Sequence, residues 1–274
     1  MDVVSAKRAS TVMESPSAPA RRPANEARSL SFGAFGRCTN WALRRFGLRL
    51  TRADRVPDWN ASFGRIKALG FAPKTVFDIG VGTGTPDLYK AFPDAHYVLI
   101  DPALPSLRHM RSIAARLDAK VITVALGDRE GKRTFNLRLD DANTSSFYRD
   151  TGLARPIESA PVRVRRFDAV IGSFARPALC KIDVQGAELD VLHGMGRRIA
   201  EIDALVIETS VLGTFDGGPE TAEVVGFLGR HGFALYDILA AVRRPLDGAL
   251  AQADLLFLRR ESPLRADRRW EWPD

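Results

Sequence analysis

Hydrophobic and polar positions follow different periods in successive stretches of the chain. From Met1 to Ser29 there is no apolar period, and residues 1–31 are dominated by Ala, Ser, Pro and Arg. That composition buries too little surface to offset chain entropy and predicts a disordered basic tail. Residues 32–70 are helical in character: Phe32, Phe35, Leu43, Phe46 and Leu50 recur at roughly helical spacing among Arg37, Arg44, Arg45, Arg49 and Arg52. Packed against a larger domain, this extension would bury its Phe/Leu face and leave the arginines in solvent. Left open, residues 32–55 would form a basic amphipathic surface able to touch anionic lipid weakly.

From Lys74 onward the pattern alternates strand and helix. Thr75–Ile79 is a short apolar run ending in a glycine loop, as a buried parallel strand would. Pro86 suits the first turn of a helix, where its missing N–H costs nothing. His96–Ile100 and Lys120–Leu126 predict two more strands, separated by a helix over Leu104–Leu117 with Leu107, Met110, Ile113, Ala114 and Leu117 on one face. Leu179–Val184 and Leu205–Glu208 are further strands around a helix over Ala187–Ile199, and another helix follows over Pro219–His231. Leu235–Val242 and Asp254–Leu258 close the sheet as an antiparallel pair. Thr134–Leu139 and Val162–Phe167 alternate in period two and predict an inserted hairpin. Such βαβ alternation specifies a doubly wound α/β sheet.

Composition narrows the class. With 274 residues, 45% hydrophobic and 27% charged, the chain can build a sizeable core and is neither fibrous nor wholly disordered. No apolar run approaches the ~18 residues of a membrane span, and the first residues lack the apolar stretch of a secretory signal. Cys38 and Cys180 lie far apart without metal-ligand spacing, which points to a reducing, cytoplasmic setting. The net charge of +7 is confined to the ends: residues 1–60 hold 11 basic against 5 acidic residues, and 61–258 hold 24 of each. A nucleic-acid enzyme would carry its basic stripe on the folded domain, so no nucleic-acid partner is expected.

The most informative stretch is Asp78-Ile-Gly80-Val-Gly82-Thr-Gly84 at the end of the first predicted strand. Closely spaced glycines let a backbone approach a ligand that any Cβ would block. A dinucleotide fingerprint would need glycine where Thr85 stands, and no lysine follows as in a phosphate-cradling loop. Asp78 repels a pyrophosphate and suits an amine-bearing ligand. Asp101, at the end of the second strand, is placed to accept both hydroxyls of a ribose. A diol grip without a pyrophosphate grip points to S-adenosylmethionine, held by Asp78, Gly80, Gly82, Gly84 and Asp101. Asp128, after the third strand, is either a contact to the adenine amino group or a turn residue.

These stretches, with LIDP (99–102), VALGDREG (124–131), NTSS (143–146), CKIDVQGAELDVLHGM (180–195), VIET (206–209) and DLLFLRR (254–260), resemble the FkbM family of S-adenosylmethionine-dependent methyltransferases. Gln185 stands where the family usually has glutamate, and Val81-Gly82 replaces a more common Ala-Asn. The resemblance implies a Rossmann-like class I methyltransferase fold over 71–260, with a mostly parallel seven-stranded sheet, an antiparallel last strand and a C-terminal tail at 261–274. It also implies methyl transfer to a hydroxyl of a carbohydrate, glycolipid or natural product.

A hydroxyl acceptor needs a proton acceptor within hydrogen-bond reach, beyond the carboxyl ends of the strands. Asp183 and Glu208 end the fourth and fifth strands and are the catalytic candidates. Asp183 could instead contact the methionine amino group or cap the next helix, and Glu208 could pair with Lys181. Glu188 suits the helix dipole as a structural charge. His193 reads as a helix-surface residue, and Asn143–Ser146 as either a polar turn or a ligand-facing loop. No His, Asp or Glu set has metal-ligand spacing. The alternative from another class is a non-catalytic scaffold that keeps the cofactor pocket and uses its basic N-terminus for a membrane or partner.

Overall fold

The computed structural model describes residues 39–41, 43–46, 48, 50–51, 56–138, 145–149 and 157–270. The chain divides into two compact units, 1–52 and 53–274. Within the first, Arg44–Phe46 form a 3-10 turn and the Asn40 side chain donates to the Leu50 carbonyl at 2.9 Å. Trp41 and Phe46 are 67% and 78% exposed. The predicted tail at 1–31 lies outside the described residues.

The second unit opens with helix α1 (Trp59–Ala68), capped by Asp58, whose carboxylate accepts from the Ala61 N–H. The main sheet follows: β1 (Thr75–Ile79), β2 (His96–Ile100), β3 (Ala119–Ile122), β7 (Ala178–Ile182), β8 (Ala204–Ser210), β9 (Phe233–Arg243) and β10 (Leu250–Arg259). Its order is β3-β2-β1-β7-β8-β10-β9, with β10 antiparallel to both neighbours. This is the Rossmann-like class I methyltransferase topology. Helices α2 (Pro86–Ala91), α3 (Leu104–Ala114), α4 (Phe167–Val170), α5 (Glu188–Met195) and α6 (Thr221–Arg230) lie between the strands in sequence.

Period-two alternation splits the core between the two sheet faces. Phe77, Ile79, Ile182, Leu205, Ile207 and Phe257 pack on one side with α5 and α6 residues. Val76, Tyr97, Leu99, Leu179, Val206 and Leu256 pack on the other with Phe63 and Ile66 of α1, Leu88 and Met110. Every position of β1 and β7 is buried, as expected for strands covered on both faces.

Two expectations are corrected. The single strand expected over Lys120–Leu126 is broken: β3 stays in the main sheet, while β4 (Ala125–Leu126) joins β6 (Ile157–Arg165) and β5 (Gly131–Arg138) in a second sheet. The Gly127 N–H then bonds the Arg165 carbonyl at 3.0 Å, drawing the chain away from β2. The helix expected over Ala187–Ile199 ends at Met195, because Gly196 takes φ 53° and a 3-10 segment, Gly196–Glu201, continues. The inserted hairpin is present as the antiparallel β5–β6 pair.

Candidate active site

A cavity of about 310 Å³ opens at the carboxyl ends of β1, β2 and β7, lined by residues that follow those strands, by Val206 and Glu208 within β8 and by Asp254 within β10. The strand order reverses between β1 and β7, which is where doubly wound sheets open a crevice. At one side stand Gly80, Gly82, Gly84 and Asp101, and at the other Asp183, Gln185, Glu208 and Asp254; Trp59 of α1 adds an aromatic wall. Val124, Leu126, Phe135 and Phe147 supply apolar lining.

The glycine loop is shaped by the protein's own backbone as much as by any ligand. Gly80 has φ 77°, and a Cβ there would lie 1.7 Å from the Asp183 carbonyl oxygen. Asp101 is 6% exposed; its Oδ2 accepts from the Gly82 N–H at 2.9 Å and its Oδ1 from the Ala103 N–H at 2.8 Å. Burial pushes its carboxyl above the ordinary value, partly countered by those two N–H groups. Each oxygen retains a lone pair for a further donor.

Asp78 and Asp128 do not line the cavity. Asp78 is fully buried beneath the loop, where its carboxylate accepts from the Tyr89 and Thr85 hydroxyls and faces the Lys181 ammonium at 3.4 Å. Asp128 bonds the neighbouring Arg129 guanidinium, which holds its carboxyl below the usual range. Asn143 and Thr144 fall outside the described residues; Ser145 lines the cavity, and the Ser146 hydroxyl donates to the Gln185 carbonyl.

The carboxylate side is assembled by strand register. Glu208 and Asp254 are direct cross-strand partners, and Asp183 follows the Ile182–Ile207 pair, so the three acids stand in one row. Like charges set opposite one another destabilise a sheet, and the row is compensated by particular neighbours. Lys181 Nζ lies 3.2 Å from Asp183 Oδ2 and donates to the Gly80 carbonyl at 2.8 Å. Burial would lower its ammonium, but Asp183 and Asp78 more than offset that and raise it. Gln185 Nε2 donates to Asp183 Oδ1 at 2.7 Å and to Glu208 Oε2 at 2.6 Å, and Gln252 Nε2 reaches Glu208 Oε2 at 3.2 Å. The Trp59 indole N–H donates to Asp254 Oδ2 at 3.0 Å.

Burial and then Asp183 and Asp254 push the Glu208 carboxyl well above the usual range; burial and Asp183 raise Asp254 as well. Glu188, buried at the start of α5, accepts from the Gly186 N–H at 2.9 Å, and burial pushes its carboxyl up to about 7. Among the described residues, no group of three His, Cys, Asp or Glu side chains is arranged to hold a metal ion. Sequence reasoning singled out Asp183 and Glu208, which the fold brings together. It passed over Asp254, Gln252 and Trp59, whose only signal was strand and helix placement, and left Gln185 without a role.

The profile of the methyltransferase FkbM domain matches residues 78–235. Among solved structures, the chain resembles a magnesium protoporphyrin IX methyltransferase from Synechocystis PCC 6803 with bound SAM, at 11% identity and a TM-score of 0.43 over 73% of this chain and 77% of that one. It also resembles a 1,6-didemethyltoxoflavin-N1-methyltransferase from Burkholderia thailandensis, at 15% identity and 0.38 over 73% and 76%. A third likeness is to a precorrin-6y C5,15-methyltransferase from Geobacter metallireducens, at 12% identity and 0.38 over 73% and 87%. No curated protein matched.

Proposed function

The chain belongs to the FkbM family of S-adenosylmethionine-dependent methyltransferases, and we propose that it methylates a hydroxyl of a carbohydrate, glycolipid or natural product. The observation that carries this reading is the pair Asp183 and Glu208 on the cavity wall, joined through one Gln185 amide. The residues fit the cofactor: Asp101 offers a free lone pair on each oxygen to the ribose hydroxyls, the glycine loop offers a close backbone, and Val124, Leu126, Phe135 and Phe147 offer apolar faces to adenine. When bound, S-adenosylmethionine supplies an electrophilic methyl group on a sulfonium. Asp78 supports the loop from beneath through Tyr89, Thr85 and Lys181, and acts on the cofactor only through them.

The chain's own part in the reaction is to hold the acceptor oxygen and take its proton. Near-attack positioning accounts for much of the rate in such displacements. A carboxylate raised above its usual value is a stronger base than an exposed one, and Glu208 is so raised by burial beside Asp183 and Asp254. Asp183 is the first candidate to hold or deprotonate the hydroxyl, with Glu208 sharing that proton.

Calorimetric titration with S-adenosylmethionine, and separately with NAD, tests the cofactor end; micromolar binding of the first alone is expected. Turnover of methyl-labelled cofactor with methyl glycosides, glycolipids and hydroxylated small molecules tests the acceptor end. Asp183→Asn is expected to lower kcat by about 100-fold or more while leaving cofactor affinity within a few-fold. Equal losses in both would favour a contact to the methionine amino group instead.

A second reading concerns the N-terminal unit by itself. Trp41, Phe46 and Leu48 are exposed beside Arg44 and Arg45, a combination suited to weak contact with an anionic lipid surface. Co-sedimentation with phosphatidylserine-containing vesicles, but not with pure phosphatidylcholine, is the expected result. Equal recovery from both would remove it.

A further inference from the structure

Gln185 is the one non-glycine residue with positive φ among the described residues, at 54°. A side-chain-bearing residue is held in that conformation only where its surroundings over-determine it, and such positions cluster at functional sites. Here the surroundings are specific. Gln185 is buried, the Ser146 hydroxyl fastens its carbonyl, and Gly186 after it also takes a positive φ. The left-handed turn aims the carboxamide at Asp183, two residues earlier just past the end of β7, and at Glu208 on β8. An amide nitrogen carries two hydrogens, so the two carboxylates use its whole donor capacity. A backbone conformation that glycine would adopt more easily is thus occupied by a side chain with one donor for each acid.

We propose that Gln185 is a positioning residue whose amide clamps Asp183 and Glu208 into one unit and opposes proton uptake at Glu208. The proposal rests on the reading of those two acids as the acceptor-handling pair. The charged groups around them act in opposite senses. Asp254, opposite Glu208 on β10, and Glu188 at the head of α5 favour proton uptake by repulsion. Lys181, 3.2 Å from Asp183 and shared with Asp78, favours ionisation, and Gln252 adds an N–H to Glu208. Gln185 is the group that reaches both acids at once, since Lys181 bonds Asp183 and Gln252 bonds Glu208.

The test is a carbon-13 NMR titration of the full chain, labelled at the Glu carboxyl carbons, with the Glu208 signal assigned from Glu208→Gln. Gln185→Met keeps the length and removes both donors; Gln185→Gly removes them and relieves the backbone. In either variant the Glu208 midpoint is expected to rise by about one pH unit or more, as loss of a charge-assisted hydrogen bond implies. A residue that merely filled space would change the melting temperature and leave the Glu208 midpoint where it was. An unshifted Glu208 midpoint in whichever variant folds would overturn the clamp. Turnover with methyl glycosides separates the two ideas: full turnover in Asp183→Asn and Glu208→Gln would sink the acceptor-handling reading alone.

Discussion

The two sides of the cavity hold their acidic groups by different means. On the glycine-loop side, Asp101 is held by backbone: Gly82, 19 residues earlier in the loop after β1, and Ala103, two residues on, each donate an N–H to it. On the carboxylate side, Asp183 just past β7, Glu208 on β8 and Asp254 on β10 are held by side chains of Lys181, Gln185, Gln252 and Trp59. A backbone grip depends on local conformation and tolerates changes in distant side chains. A side-chain grip places like charges in a row, at a cost that its partners must offset, and leaves their protonation adjustable. The first arrangement suits binding a constant cofactor. The second suits a group that must take up and release a proton.

The seam between the sides offers the largest test. Gly80→Ala would drive a Cβ into the Asp183 carbonyl, so both sides should fail together, with about 4 kcal/mol or more lost or no soluble protein recovered. Stability close to wild type in a urea titration would show that the two sides move independently. Next in size, Lys181→Met strikes the carboxylate side and strands the buried Asp78 and the partly exposed Asp183. About 3–5 kcal/mol should be lost, read from urea midpoints; a loss below about 1 kcal/mol would contradict the ion-pair account. Asp101→Ala should act on the other side, weakening S-adenosylmethionine binding by roughly 10–100-fold in calorimetry. Because its carboxylate also holds two backbone N–H groups, a lower melting temperature should accompany that loss, and unchanged affinity would remove the ribose assignment.

The smallest effect sharpens the comparison through pH. Folding raises the Glu188 carboxyl from near 4.5 to about 7, so the native state binds that proton more tightly than the unfolded chain does. Its contribution therefore favours the fold at low pH and is lost as pH climbs from about 4.5 to about 7. Glu188→Gln keeps an acceptor for the Gly186 N–H and removes the titration. Relative to wild type, the variant should gain on the order of 2 kcal/mol between pH 5 and pH 8, read from urea midpoints. Parallel pH curves would mean that Glu188 is not perturbed in the folded state.

Asp78 and Gln185 mark where sequence reasoning reached and where it stopped. The run TVFDIGVGTG identified a buried strand, a glycine turn and a cofactor class, because strand period and glycine spacing are local properties of the chain. The same reasoning aimed Asp78 at the ligand; the register pairs it with Lys181 instead, and register is fixed by neighbouring strands about a hundred residues away. Asp183 and Glu208 were legible as strand-end acids, but their partnership with Asp254 needed the antiparallel return of β10. Gln185 read as a change of residue in a motif, and only its left-handed backbone gave its amide two targets. The sequence by itself determined the alternation of strands and helices, the family and the glycine turn, since each is encoded by near neighbours in the chain. The tertiary structure decided which charges face one another, because sheet order and register bring together side chains that no local pattern connects.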